Sequence, residues 1–365
     1  MAKKLLGVVI LVGVIAAVIV LQVREKSAVT SSGTGGSPAA AETVRAYVGG
    51  EKSGFLDDPA VKQLLAAKYG LSIDGSKAGS IEMVTSLSLD GKDCVWPSSQ
   101  TAAEIFRARG AHIEGEETIF NSPIVLYAWA PVADALTKAG FVSDEGTAHY
   151  VTDFSGLIAA ITEEKKWSDI GVAELFGKIS IFTTDPSRSS SGAVFAGLVA
   201  NMLNGGNVAT EQDLPALLPR LKSYYARLGH LESSSGDLFQ SFLKTGIGAR
   251  PIIAGYESQL VEFFIDHQEF RQTLREKIRI LYPKPTVWSE HPLIAMTGRG
   301  KKLIEALKDP EIQRLAWEKH GFRSGLLGVQ NDPRVLELAG IPESITAVLP
   351  LPAGATMNEL IRGVQ

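Results

Sequence analysis

Residues 178–201 read KISIFTTDPSRSSSGAVFAGLVAN, and this stretch decides the fold. Ile179, Ile181 and Phe182 are β-formers of the kind found in a buried strand. Residues 183–191 are then almost entirely polar, with hydroxyl groups, one Asp, one Pro and one Arg. After Gly192 the run 193–200 is too apolar to be anything but a buried helix. A strand, a polar loop and a helix start leave backbone N–H groups unsatisfied at the helix end. Those donors, the positive end of the helix and the nearby serines make a seat for an anion or a polar oxygen. Arg188 adds a forked, charged donor. The ordinary alternative is a capped helix with Ser190 or Ser191 as N-cap.

Working outward, the same strand–loop–helix pattern recurs on both sides. Upstream, 44–48 alternates as a strand, 49–54 is a Gly-rich loop, and a helix runs over 59–69 until Gly70 closes it. A strand is expected over 81–89, a polar loop at 96–100 and a helix over 101–109. The run 124–129 is an apolar strand, followed by a helix carrying Val132 and Leu136. Helices are expected over 154–161 and 167–176, before the central stretch. Downstream come helices over 214–228 and 238–245, the latter opened by Ser233, Ser234 and Ser235. Residues 251–260 read as a strand turning into a helix; 279–282 and 286–288 read as extended, and 303–307 and 311–320 as helical. Strands alternating with helices imply a mainly parallel α/β sheet, whose ligands sit at the carboxyl ends of strands.

The chain of 365 residues allows one large or two ordinary domains. Its formal net charge is −4 and its basic residues are scattered, which gives no nucleic-acid footprint. The single cysteine, Cys94, excludes an intrachain disulfide and reads as a small buried apolar group. Lys3 and Lys4 precede an uncharged apolar run at 5–23, long enough to cross a bilayer as a helix. Residues 1–26 are therefore expected to be an uncleaved single-pass anchor in the cytoplasmic membrane, with the body outside it in the periplasm or extracellular space. Residues 27–43, rich in Ser, Gly, Thr and Ala, read as a flexible tether.

Four places carry a resemblance to a known family. Thr184-Asp185-Pro186-Ser187 with Ser190-Ser191-Gly192 resembles the second-lobe oxyanion loop of extracytoplasmic solute-binding proteins, the class that includes the molybdate, sulfate and phosphate receptors. Gly255-Tyr256-Glu257-Ser258-Gln259-Leu260 resembles their YE-x-x-L strand end, and Ser122-Pro123-Ile124-Val125-Leu126 their crossing strand. Asp309-Pro310-Glu311-Ile312-Gln313, then His320-Gly321-Phe322-Arg323, resembles their closing helix. Two departures stand beside these: Ala193 occupies the Thr position of the phosphate receptors' Ser-Gly-Thr, and no lipid-anchoring cysteine follows the apolar run.

The resemblance implies an α/β, two-lobed, periplasmic-binding-protein-like fold (type 2), preceded by one N-terminal transmembrane helix. Lobe 1 would be 44–122 and 291–365, and lobe 2 would be 123–290. The polar loops nominate a ligand-binding set. From the first lobe these are Gly50, Glu51, Lys52, Ser53, Ser98 and Ser99. From the second they are Asp185, Arg188, Ser189, Ser190, Ser191, Gly192, Ser234, Ser235, Tyr256 and Glu257. Glu257 and Asp185 would oppose a multiply charged anion unless Arg188 or Lys52 offsets them.

The expected function is capture of a small polar or anionic ligand, an oxyanion above all, for an ABC-type permease. The alternative is a sensing or docking module of a membrane-associated stress or toxic-anion system. The chain is expected to act as a monomer, without cofactor, and not as an enzyme. Ser241 to Gly246 contains both S-x-x-K and K-T-G, but one Lys serves both, whereas penicillin-recognising enzymes use two. The six histidines show no metal-ligand spacing. Tyr224-Tyr225 is similar to the tyrosine pair of ferric-ion receptors, but neighbours in a helix point about 100° apart, which favours core packing.

Overall fold

The computed structural model describes residues 41–365 apart from Glu174. The expected anchor at 1–26 and most of the expected tether lie outside the described residues. Among the described residues no helix is long and apolar enough to cross a membrane.

The architecture is a mixed sheet flanked by helices. Its strands are β1 (Glu42–Val48), β2 (Leu71–Lys77), β3 (Cys94–Trp96), β4 (Gly115–Trp129), β5 (Val142–Glu145) and β6 (Ala148–Val151). They are followed by β7 (Ile252–Tyr256), β8 (Ile278–Pro283), β9 (Trp288–Ala295) and β10 (Arg323–Ser324). The order is β2-β1-β3-β9-β4-β8-β6-β5, with β7 and β10 also paired to β4. β4 is therefore the strand shared by both halves. Its first part pairs with β9, and its last residues, Ile124 to Trp129, pair with β7 and β8. The crossing strand expected at Ser122-Pro123 lies in the middle of it.

Each half buries its own core. In the first, Val44, Ala46 and Val48 alternate inward from β1 and meet Phe55, Phe120 and Leu303. In the second, the helix Ser190–Leu203 lies across the sheet and meets Leu126, Ile181 and Tyr224. Every residue of that helix from Ser191 onward is buried, as its composition requires. Gly197 is needed there, because a Cβ would stand 2.8 Å from Leu351 and 2.9 Å from Met357.

Four expectations change. The sheet is mainly antiparallel, because β4 runs against β7, β8, β9 and β10; among the named strands the parallel pairs are β1–β2, β1–β3 and β6–β8. The strand expected over 81–89 is instead a helix, Ser80–Thr85, in which Ser80, Met83 and Val84 are buried at helical spacing. The helix expected over 167–176 is one short turn, Trp167–Ile170, ended by Gly171 at φ 87°. The stretch 179–182 makes a single bridge, Phe182 to Ile253, and not a full ladder. The C-terminal segment also has its own place: Met357, Leu360 and Ile361 pack with the second core, and Leu336 and Ile341 join Phe239 and Leu260.

Candidate functional site

Between the two halves lies a cleft of about 530 Å³, within the usual range for small-molecule sites. The first half lines it through Gly50, Glu51 and Ser53, and the second through Arg188, Ser189, Ser190, Ser234, Ser235 and Tyr256. These nine of the expected residues are thus brought together from stretches far apart in sequence.

The helix Ser190–Leu203 begins at this cleft. Its N-cap is Ser189, not Ser190 or Ser191, and the Ser189 side chain caps nothing. Ser189 Oγ instead bonds Ser191 Oγ at 3.0 Å, and Ser191 Oγ bonds Thr184 Oγ1 at 3.0 Å. The first N–H groups of the helix therefore keep their donors, and its positive end, for whatever occupies the cleft. Gly192 admits the close turn: a Cβ there would lie 2.4 Å from the Thr184 carbonyl oxygen. Ser190 Oγ reaches across to Ser80 Oγ at 2.5 Å, and Ser80 Oγ also accepts the Ser98 N–H at 2.8 Å.

The floor of the cleft is a buried polar cluster. Lys52 is fully buried and donates to Glu51 Oε1 at 2.5 Å and to Ser98 Oγ at 2.8 Å. Ser98 Oγ also donates to Glu51 Oε1. Burial alone would push the Glu51 carboxyl up. The charge of Lys52, the neighbouring His291 and the hydrogen bonds from Lys52 and Ser98 outweigh this and hold it at about 2. Burial, reinforced by Lys52, lowers His291 to about 3, so its ring is neutral at physiological pH. Tyr256 is 1 % exposed. Burial and the Glu51 charge hold its phenol well above the ordinary tyrosine value. Its ring ends among the hydroxyls of Ser289, Ser191 and Ser190, yet no well-formed hydrogen bond reaches its Oη. His291 Nδ1 is likewise buried without a partner.

Seven expected residues do not line the cleft. Lys52 and Ser98 lie beneath it and hold Glu51, and Ser99 is buried at the start of the helix Gln100–Ala108. Ser191 and Gly192 lie behind Ser190. Asp185 accepts from the Ser187 N–H at 2.8 Å and from Ser187 Oγ at 2.6 Å, which ties the loop. Glu257 is fully buried away from the cleft: Arg323 grips it at 2.7 and 3.0 Å, and Tyr282 donates to it at 2.6 Å. Glu257, neutralised by Arg323, therefore does not oppose an anion in the cleft, and the Asp185 carboxylate is directed to its own loop.

The structure adds lining residues that sequence reasoning missed. Lys77 and Gly79 follow β2, and Gln259, Glu262, Phe263 and Asp266 form one stripe of the helix Glu257–Asp266. The stripe has a visible signal in its i, i+3, i+4, i+7 spacing. Tyr224 and Tyr225 are core residues: the Tyr224 hydroxyl donates to the Ile181 carbonyl at 2.6 Å, and both rings are buried. Among the described residues no group of three or more His, Cys, Asp or Glu side chains is arranged to hold a metal ion.

No protein-family profile matches the sequence, and no curated protein matches it either. Solved structures do. A periplasmic thiamin binding protein superposes with a TM-score of 0.57 at 12% identity, over 88% of this chain and 96% of that one. The substrate binding protein of an ABC transporter from Agrobacterium tumefaciens gives 0.55 at 12% identity, over 89% and 95%. The periplasmic binding protein AfuA from Actinobacillus pleuropneumoniae, bound to fructose-6-phosphate, gives 0.55 at 10% identity, over 88% and 96%. The fold is that of the two-lobed periplasmic binding proteins. These three are not named for molybdate, sulfate or inorganic phosphate, so the likeness extends to the fold and not to the oxyanion class.

Proposed function

We propose that this chain is an extracytoplasmic solute-binding protein. It captures a small polar solute, an oxyanion or a molecule carrying one, in the cleft and presents it to an ABC-type membrane permease. In this reading the apolar run 5–23 anchors the protein and the residues after it tether the body. The first lobe comprises 42–122 and 291–324, and the second comprises 123–290 with the C-terminal segment packed on it.

One observation carries the reading. The uncapped start of the helix Ser190–Leu203 and the unpartnered Tyr256 hydroxyl face one cleft lined from both halves. A ligand touching both halves stabilises the closed arrangement through its differential contacts there. One neighbouring solved structure is named as the substrate binding protein of an ABC transporter, which supports the permease as partner.

The test uses the full chain in detergent, with a thermal-shift panel of sulfate, molybdate, phosphate and sugar phosphates. A binder at a hundredfold excess over Kd stabilises by about 2.7 kcal/mol. Hydrogen exchange with that binder is expected to show new protection in both 49–54 and 188–192. Arg188→Ala, which removes a charge-assisted hydrogen bond of about 1.5–3 kcal/mol, lowers affinity roughly ten- to a hundredfold. A binder that protects one half only, or that ignores Arg188→Ala and Ser190→Ala together, would overturn the reading.

A further inference from the structure

At the cleft the two halves touch each other directly. Residues 77–80 leave β2 and open the helix Ser80–Thr85, whose Met83 and Val84 pack with Val95 and Ile294 of the first half. Residues 188–190 open the helix Ser190–Leu203 of the second half. These segments are 110 positions apart, and Ser190 Oγ donates to Ser80 Oγ at 2.5 Å. Gly79, Arg188 and Ser190 line the cleft, and Ser80, 2 % exposed, lies behind Gly79.

The glycine at 79 is not demanded by its own loop. Its φ of −67° and ψ of 144° are extended values open to any residue. Its carbonyl accepts the Met83 N–H at 2.9 Å and its N–H donates to Glu82 Oε2 at 3.3 Å, and alanine would keep both bonds. A Cβ at 79 would stand 2.8 Å from the Arg188 carbonyl oxygen, which belongs to the opposite half, and its next neighbour would be 3.6 Å away. The Arg188 backbone is itself held, since the N–H groups of Arg188 and Ser189 both donate to the Asp185 carbonyl, at 3.1 and 2.8 Å. The missing side chain at 79 therefore serves the approach of one half to the other.

We propose that Gly79 and Ser80 form a clasp with Arg188 and Ser190 that holds the two halves closed over the cleft. The contact runs from protein to protein, so it favours the closed arrangement without help from a solute. A cleft that holds its solute only when closed has an apparent affinity proportional to the closed fraction, and the clasp sets that fraction. The clasp goes beyond the solute-binding reading and is tested without a solute, so either can fail while the other stands.

Cysteine cross-linking of the full chain in detergent, with diamide as oxidant, tests it. The pair Ser80→Cys with Ser190→Cys reports the clasp. The pair Thr43→Cys with Ser72→Cys reports a contact inside the first half, where the two hydroxyls lie 3.1 Å apart on β1 and β2. The native Cys94 stays out of the reaction, because it is fully buried and burial pushes its thiol up to about 12. Both pairs are expected to form single-chain cross-links. Adding Gly79→Ala is expected to slow the clasp pair about threefold and Gly79→Val about tenfold, with the first-half pair kept within about twofold. The inference is overturned if the first-half pair links and the clasp pair does not, if Gly79→Val leaves the clasp pair unchanged, or if it slows both pairs equally.

Discussion

Lys52→Met is the sharpest perturbation of the cleft floor. The Lys52 side chain is fully buried, and its ammonium sits 2.5 Å from Glu51 Oε1, 2.8 Å from Ser98 Oγ and 3.4 Å from the Pro97 carbonyl. Methionine keeps the volume and removes the charge, leaving Glu51 buried without its counterion. Breaking one side of a buried pair costs about 3–5 kcal/mol.

The pH dependence separates this cause from simple loss of packing. In the native protein the Glu51 carboxyl titrates below its unfolded value, so its contribution is present above about pH 4.5 and is lost as pH falls towards 2. Burial is the largest influence on Glu51, and without Lys52 only His291 and the Ser98 hydrogen bond oppose it, so the folded carboxyl is expected to titrate above 4.5. The folded state then takes up a proton first, and the stability of the variant rises as pH falls from 7 towards 5. Urea unfolding of residues 41–365, followed by tryptophan fluorescence at pH 7 and 5, reads both effects. The double variant Glu51→Gln with Lys52→Met is expected to recover most of the loss, since neutral pairs of similar shape replace buried ion pairs at little cost. A Lys52→Met protein as stable as the native one at pH 7, or single effects that simply add in the double variant, would refute the reasoning.

Other substitutions separate structural from ligand-facing roles. Arg323→Leu strands the fully buried Glu257 and is expected to cost about 3–5 kcal/mol in urea unfolding, while the folded fraction keeps its ligand affinity; a selective loss of affinity would return Glu257 to the binding site. Gly192→Ala places a Cβ 2.4 Å from the Thr184 carbonyl oxygen and is expected to destabilise by about 1–3 kcal/mol, so an unchanged urea midpoint would contradict that close contact. Tyr256→Phe removes a hydroxyl that makes no well-formed bond, and is expected to leave stability within about 0.5 kcal/mol but weaken ligand binding in calorimetry. The opposite pattern, lost stability with intact affinity, would assign that hydroxyl to the fold.

The parts of the fold that were legible in the sequence are those where one local signal is enough. The helix Ser190–Leu203 announced itself by continuous burial, and the helices Pro59–Tyr69 and Pro310–His320 by a Pro at the start and a Gly at the end. Both glycines, Gly70 and Gly321, indeed take left-handed φ values, 63° and 66°. β2 was missed because it is an edge strand: LSIDGSK needs few apolar groups when one of its sides has no neighbouring strand. The apolar residues of 81–89 were assigned the strand period, although Gly79 followed by Glu82 is a helix-start pattern, and Glu82 does accept from the Gly79 N–H. The antiparallel pairing of β4 depends on strands contributed from 252–295, and no local period carries that information.

The site shows where loop composition stops being informative. Polar loops at strand ends point to Gly50, Ser190, Ser234 and Tyr256, and all four line the cleft between the halves. Composition does not say which side chains of such a loop turn outward. Tyr256 ends β7 and Glu257 begins the next helix, so one faces the cleft and the other turns back to Arg323, more than sixty positions away. Glu51 and Lys52 are also neighbours, yet only Glu51 lines the cleft while Lys52 holds it from below. In the second pair the residue turned away sets the electrostatics of the cleft floor, because Lys52 balances the charge of Glu51 from beneath. An anionic group at Ser190 would therefore meet an ionised Glu51 whose charge is already balanced by Lys52, while Glu262 on the neighbouring helix is bonded to His320 at 2.7 Å.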